Sequence, residues 1–345
     1  MTEVPGLDVA GLTTWLADAH PALADRPLTA QVIAGGRSNL TYAVEGAHLS
    51  LIVRRPPLGH VLSSAHDMRR EHRVISALAD SGVPVPTAVD IVDDTEASRV
   101  TGTVFFVMER APGEVLAHAA QNARYSSRGI RSLSLELMGH LAALHAVDPA
   151  AVGLEDFGRP DGYLFRQLTT WRRQLDASRS RETPSLDALQ ETLSARMPES
   201  GRSAIVHGDF RLDNALVVGE ADSPHISAIL DWEMATLGDP FVDLGIFALY
   251  WDIANLPAGS AGAVPSAVDP AAGYPSFDEL VEVYAEKAGI GIPDLRWYRA
   301  FAAYKLAVIL EGIHYRYQAG DTVGAGFDRM GALVEPLARK GLEVR

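Results

Sequence analysis

The sequence contains no cysteine. Its absence excludes a disulfide framework and any metal site built on thiolates. No apolar run reaches the ~18 residues of a membrane-spanning helix, and the first residues, MTEVPGLDV, lack the basic and apolar segments of a signal peptide. Neither a Walker A motif nor a G-x-G-x-x-G motif occurs, and no internal repeat is visible. We therefore expect a cytoplasmic protein without membrane contact.

Basic residues are the second shortage, with 30 Lys and Arg against 44 Asp and Glu and a net charge of -14. Such a balance repels a phosphate backbone and argues against nucleic-acid binding. It tolerates a cationic substrate, but a solvated acidic surface explains it equally well. The 345 residues, 47% of them hydrophobic, are enough for two lobes with cores of their own.

The most informative stretch is Ile205–Gly245, which begins IVHGDFRLDNALV. Asn214 follows Asp209 by five residues, and Asp231 directly follows an apolar run. Three short apolar runs frame these polar residues, and we predict strands at Ala204–Val206, Ala215–Val218 and Ile226–Leu230.

This spacing indicates phosphoryl transfer. A kinase catalytic loop has an Asp followed five residues later by an Asn, with a separate metal-binding Asp further along the chain. Phosphoryl transfer depends mostly on positioning and on neutralising charge around a nucleotide phosphate. Asp209 and Asn214 alone are also compatible with a polar turn; Asp231 at the end of a third apolar run favours the kinase interpretation.

The segments HGDFRLDN, ILDWE and GDPFVDLG resemble the aminoglycoside phosphotransferase family of small-molecule kinases. Within this family, the three motifs are most similar to those of the branch that includes kinase domains fused to acyl-CoA dehydrogenases. The resemblance runs from about Gly35 to Gly320. It implies a protein-kinase-like fold, with Asp209 as catalytic base in loop 207–214, and Asn214 and Asp231, the latter in segment 229–233, as magnesium ligands. ATP and Mg²⁺ are the implied cofactors.

We thus expect an α+β protein of two lobes, a small antiparallel-sheet N-lobe at residues 1–110 and a mainly helical C-lobe at 111–345. The N-lobe contains a leading helix at Leu7–Leu23, five strands and one further helix at Ala65–Asp80. The predicted strands are Ala30–Ile33, Leu40–Val44, Leu49–Val53, Thr87–Val92 and Gly102–Met108.

Two N-lobe segments are candidates for nucleotide contact. The turn containing Gly36, Ser38 and Asn39 reads as a flap over phosphates, the alternative being an ordinary two-glycine hairpin turn. Glu109 and Arg110 follow the last strand, where family members bind the adenine edge through backbone groups.

Arg54 ends the third strand, where a protein kinase has a lysine, and Glu71 lies on the apolar stripe of the next helix. A carboxylate on a buried face needs a partner. We expect Arg54 to pair with Glu71 beside the nucleotide. The alternatives are that Arg55 is the inward residue and that Glu71 only borders the stripe.

Acceptor contacts are predicted from aromatic and acidic residues on two C-lobe helices, with core packing as the alternative for each. The candidates are Trp251, Asp252, Glu311 and Tyr315. Asp239 is expected to anchor the catalytic loop, and the segment Asn255–Ser276 to form a mobile loop.

The sequence therefore predicts an ATP-dependent kinase that phosphorylates a hydroxyl of a small molecule. An aminoglycoside, another cationic alcohol, a sugar and a hydroxyacyl-CoA all remain open as the acceptor. The rival classes are a pseudokinase-like nucleotide-binding module and a metal-assisted phosphate hydrolase. The presence of Asp209, Asn214 and Asp231 argues against a pseudokinase-like module. The kinase-like N-lobe argues against a hydrolase.

Overall fold

A computed structural model of the chain describes residues 4–33, 39–58, 66–253, 264, 266–320 and 327–343. It forms two compact units. The smaller comprises Met1–Gly113 together with Ser227–Glu233, and the larger comprises Glu114–Ile226 together with Met234–Arg345. The predicted α+β class is confirmed, with an antiparallel sheet in the smaller unit and mainly helices in the larger.

The smaller unit contains a five-stranded sheet in the order β1-β2-β3-β5-β4, in which every neighbouring pair is antiparallel. The strands are β1 at Ala24–Val32, β2 at Leu40–Ala47, β3 at Leu51–Arg55, β4 at Ala88–Asp93 and β5 at Val104–Glu109. Helix α1, Val9–Ala19, begins at Asp8, whose side chain accepts hydrogen bonds from two backbone N–H groups of its first turn. Leu12 and Leu16 of this helix join the core formed by the sheet.

Helix α2, Met68–Leu78, follows in the same unit and begins at the capping residue Asp67. Its buried stripe consists of Met68, Glu71, Val74, Ile75 and Leu78. One charged residue therefore shares an otherwise apolar face, as the sequence predicts.

Seven helices account for most of the described part of the larger unit. They are α3 at Ser127–Ala146, α4 at Tyr163–Ser178, α5 at Pro184–Ala195, α6 at Phe241–Trp251, α7 at Phe277–Ala288, α8 at Arg296–Gln318 and α9 at Val334–Glu343. Four short strands also lie in the larger unit: β6 at Glu114–Val115, β7 at Ala204–Val206, β8 at Ala215–Glu220 and β10 at Thr236–Gly238. Strand β9, Ser223–Ile229, begins in the larger unit and ends in the smaller one. Strands β7 and β10 pair with each other, and β6, β8 and β9 form a separate sheet.

Two predicted segments differ from the structure. The patterns of the chain end predict one helix at Val323–Lys340, whereas the described residues form a 3₁₀ segment, Phe327–Leu333, followed by α9. Pro336 explains the break, because proline is tolerated in the first helical turn but clashes with a preceding one. Of the predicted loop Asn255–Ser276, residues 255–263 and 265 lie outside the described part of the chain, while Pro270–Ala272 forms a 3₁₀ turn.

No helix in the described part of the chain is both long enough and apolar enough to cross a lipid bilayer.

Candidate active site

The smaller unit brings together the predicted cation–glutamate pair. Arg54 Nε lies 3.0 Å from Glu71 Oε1, and Arg54 Nη2 lies 3.4 Å from Asp231 Oδ1. Arg55 points to the other face of the strand, where its Nη1 donates to the carbonyl oxygens of Gly6 and Thr101. Strand alternation therefore selects Arg54 as the residue that meets the helix.

Three carboxylates act on the single guanidinium of Arg54, namely those of Glu71, Asp231 and Glu233. Burial raises the pKa of Glu71 to about 7; Arg54 opposes this shift, and the negative charges of Asp231 and Glu233 add to it. The charges of Asp231 and Glu233 therefore help burial to keep the proton on Glu71.

Asp231 is placed by an unusual backbone conformation. Its φ is 67°, in the left-handed region that residues other than glycine rarely adopt. Next to it, the Trp232 indole N–H donates to the Ile229 carbonyl oxygen. The Asp231 side chain is 34% exposed, whereas that of Glu71 is 2% exposed. Backbone strain at a partly exposed carboxylate is characteristic of functional sites.

The side chain of Asn39 is held at both ends within the smaller unit. Its Nδ2 donates to Glu233 Oε2 over 2.9 Å, and its Oδ1 lies 2.9 Å from His66 Nδ1. Gly36 and Ser38, the other two flap candidates, lie outside the described residues. A phosphate-binding role for these three residues stays a prediction.

The two residues predicted at the adenine edge already use their backbone donors. The N–H of Glu109 donates to Thr87 and that of Arg110 to Ser50. An adenine contact through either residue would therefore use a carbonyl oxygen.

In the larger unit, the backbone of the catalytic loop 207–214 is held by Asp243 of α6. Its two carboxylate oxygens accept from the N–H groups of His207 and Gly208 at 2.7 and 2.8 Å. His145 Nε2 lies 3.2 Å from the same carboxylate, while its Nδ1 lies 2.8 Å from the hydroxyl of Tyr284. Burial alone would raise the pKa of Asp243, but these hydrogen bonds hold it below its usual value.

Asp243, not Asp239, is therefore the anchor of the loop, and the sequence-based assignment was wrong. Asp239 accepts instead from the Tyr298 hydroxyl and from the N–H of Phe241. Both acids are buried at the start of one helix, so composition alone does not separate them. Their positions in the helix distinguish the two acids, because Asp243 lies about one turn further along, on the helix face that contacts the loop.

Asp209 is oriented by two neighbours in its own loop. Its Oδ2 accepts from Arg211 Nε at 3.1 Å and from Asn214 Nδ2 at 3.0 Å. Asn214 Nδ2 also donates to the Asp209 carbonyl oxygen. Since the amide nitrogen of Asn214 is the donor, its amide oxygen is the atom suited to a metal ion.

A pocket lies beside this loop in the larger unit. It is lined mainly by apolar and aromatic side chains, among them Leu116, Phe247, Tyr250, Trp251 and Val268. Arg211 enters the pocket wall, where its guanidinium stacks 4.6 Å from the ring centroid of Tyr250 and its Nη1 lies 2.5 Å from Asp213 Oδ2. Arg211 is not among the residues predicted from the sequence. Its position two residues after Asp209 was the signal that could have indicated it.

The four predicted acceptor residues are not brought together. Trp251 lines the pocket, and Asp252 pairs with Arg299 of α8 at 3.2 Å. Glu311 lies twelve residues further along α8 than Arg299, which is about 18 Å along a helix axis.

The Glu311 carboxylate is buried and accepts from Arg181 and Ser180. This arrangement matches the core-packing alternative. Tyr315 is exposed on the last turns of α8. An acceptor role for these two residues stays a prediction without a supporting contact.

Comparisons with known proteins identify the family of the chain. A family model described as "Phosphotransferase enzyme family" matches residues 29–301. Because that match covers most of the sequence, the chain belongs to this phosphotransferase family, and the predicted family resemblance is confirmed. The family is that of the aminoglycoside phosphotransferases, whose solved members have a protein-kinase-like fold.

Among similar proteins, acyl-CoA dehydrogenase family member 10 of Mus musculus is 34% identical over 304 residues, which are 88% of this chain and 28% of that protein. The chain thus spans less than half the length of such relatives. A solved structure from Ralstonia eutropha JMP134, described as a candidate aminoglycoside phosphotransferase, is 31% identical with a TM-score of 0.81 and covers 98% of each chain.

A thermostable mutant of another aminoglycoside phosphotransferase, solved as a ternary complex with ADP and hygromycin B, has a TM-score of 0.58 at 16% identity, covering 97% of this chain and 98% of its own. That likeness concerns the fold.

The raised pKa of Glu71 predicts how stability depends on pH. The unfolded chain ionises this residue near the ordinary glutamate pKa of 4.5, whereas the folded protein keeps the proton to about pH 7. The folded state then binds more protons over this window, so stability is lost as the pH rises through it. Relative to Glu71→Gln, the free energy of unfolding of the wild type should fall between about pH 5 and about pH 8.

Urea denaturation at a series of pH values measures this difference. Glu96→Gln, at an exposed position of the same unit, is the matched control and should run parallel to the wild type. Parallel curves for Glu71→Gln and the wild type would show that Glu71 stays ionised throughout.

Proposed function

We propose that this protein is a small-molecule kinase that transfers the γ-phosphoryl group of ATP to an alcohol. The observation that carries the proposal is the arrangement around Asp209. Two donors hold its Oδ2, while within the described residues no hydrogen bond reaches its Oδ1. A carboxylate with one fixed and one open oxygen is suited to orient an acceptor hydroxyl and take its proton.

The smaller unit supports a nucleotide-binding role. Arg54 is a permanent cation with a forked set of donors that suits phosphate oxygens. Its contact with buried Glu71 fixes the guanidinium in one orientation. The ADP bound in the related aminoglycoside phosphotransferase supports the same assignment here.

The donor set also fits magnesium. Asp231 and Asn214 offer a carboxylate and an amide oxygen, and magnesium prefers such hard ligands, keeping several of its waters. When bound, the ion would neutralise charge on the phosphates.

Asp209 should therefore serve the chemical step. Asp209→Asn keeps the shape of the side chain but removes the base, so we expect turnover to fall on the order of 100-fold or more. ATP affinity should stay within a few fold, because a group that acts in the transition state contributes little to ground-state binding. A panel of hydroxyl metabolites identifies an acceptor, on which kcat is measured beside ATP affinity on the same preparation.

Asp222→Asn is the control for this experiment, since Asp222 is an exposed acid of the same unit. It should turn over like the wild type. Normal turnover by Asp209→Asn would remove the catalytic assignment and return the nucleotide-binding module to consideration.

Asp231 should make ATP binding dependent on magnesium. Asp231→Asn is the sharpest variant, because asparagine tolerates the left-handed backbone that this position requires. We expect magnesium to tighten ATP binding to the wild type and to have little effect on the variant. Isothermal titration calorimetry with and without magnesium measures both. An equal gain in affinity for the two proteins would contradict the metal assignment.

Two acceptor classes are consistent with this function. The related solved structures are aminoglycoside phosphotransferases, whereas the relatives named as acyl-CoA dehydrogenase family members favour a hydroxyacyl-CoA. The pocket does not choose between these classes, because its cavity of about 10 Å³ has room for about one water molecule.

A further inference from the structure

Lys305 is a buried cation that the proposed reaction does not yet use. It lies on α8 with 7% of its surface exposed. Its Nζ donates to the carbonyl oxygen of Gly208 over 2.6 Å and lies 3.7 Å from Met234 Sδ. The ammonium is also 5.3 Å from the ring centroid of Trp171.

Composition makes this lysine unusual. The chain has 30 Lys and Arg residues, of which the lysines are Lys287, Lys305 and Lys340. Arginine supplies the cation almost everywhere else, as in the ion pairs of Arg54, Arg181 and Arg211. At Lys305, by contrast, the buried cation is an ammonium.

Burial of this group is costly. An ammonium has three N–H donors, and in the described part of the chain one oxygen, that of Gly208, accepts from it. Burial lowers the pKa of Lys305, while the negative charges of Asp209 and Asp243 act in the opposite direction. A charge buried with incomplete pairing is therefore weak evidence for a role in stability alone.

The partner of Lys305 is the peptide group that leads into Asp209. Gly208 has a φ of +85°, and a Cβ at this position would lie 2.8 Å from the Met234 carbonyl oxygen. Its N–H is held by Asp243 and its carbonyl oxygen by Lys305. The Asp243 carboxylate and the Lys305 ammonium therefore hydrogen-bond to the N–H and the carbonyl oxygen of Gly208, immediately before Asp209.

We propose that Lys305 is a positioning residue for Asp209: its ammonium fixes the Gly208 carbonyl and thereby the direction in which the Asp209 carboxylate leaves the loop. The expected effect on turnover rests on the proposed kinase function. The expected effect on the loop rests on the loop geometry alone. A residue of this kind lowers turnover when it is removed and leaves ground-state binding unchanged.

The test is Lys305→Met, which keeps an unbranched side chain of similar volume and removes the charge and the hydrogen bond. We expect kcat to fall on the order of 10- to 100-fold, the cost of a small misplacement of a catalytic group. The KM for ATP should be unchanged, and the thermal midpoint should fall, because the buried Gly208 carbonyl oxygen loses its donor. Lys305→Gln retains a donor and should recover part of kcat, while Lys287→Met, at an exposed site, should match the wild type.

Amide hydrogen exchange of a peptide covering residues 205–214 gives a readout that needs no acceptor. Exchange should accelerate in Lys305→Met and stay at the wild-type rate in Lys287→Met. Unchanged exchange in Lys305→Met, or a lower thermal midpoint with normal kcat in the folded fraction, would overturn the positioning role. Wild-type protein that turns over no hydroxyl acceptor would instead refute the proposed function, and the exchange data would still decide whether Lys305 holds the loop.

Discussion

The candidate site of the larger unit depends on the hydrogen bonds that the Asp243 carboxylate accepts from the catalytic loop. It holds two consecutive backbone N–H groups, those of His207 and Gly208, in a buried position. A loop that carries a catalytic acid cannot rely on regular secondary structure to fix its backbone, so side chains must satisfy its polar groups. His145 in turn contacts Asp243, and the Tyr284 hydroxyl contacts His145. Side chains from three helices thus determine the position of the loop.

Charge compensation is the second constraint, and the two units meet it differently. In the smaller unit the guanidinium of Arg54 lies among the carboxyl groups of Glu71, Asp231 and Glu233, and burial keeps the proton on Glu71. In the larger unit Arg211 contacts Asp209 and Asp213, and Lys305 lies near Asp209 and Asp243. In both units, the carboxyl groups of the candidate site therefore lie beside buried or partly buried cations.

Local patterns predicted much of this arrangement. The spacing of Asp209 and Asn214, together with Asp231 after a strand, requires only short-range information. Strand alternation and a helical stripe were enough to pair Arg54 with Glu71.

The missed contacts depend on tertiary packing. Glu311 and Arg181 are 130 residues apart in the sequence, and nothing in the local pattern of α8 shows that this acid has a structural partner. The roles of Asp243 and Lys305 likewise follow from which helix face meets the loop, which sequence periodicity does not specify.

Phosphorus NMR of the products tests the central claim, phosphoryl transfer to an alcohol, most directly. The protein is incubated with ATP, magnesium and an acceptor from the hydroxyl panel, and the products are quantified in one spectrum. The account predicts a new phosphomonoester signal equal in amount to the ADP formed, with no matching rise in inorganic phosphate. ADP accompanied by an equal amount of inorganic phosphate, and no phosphomonoester with any acceptor, would contradict it.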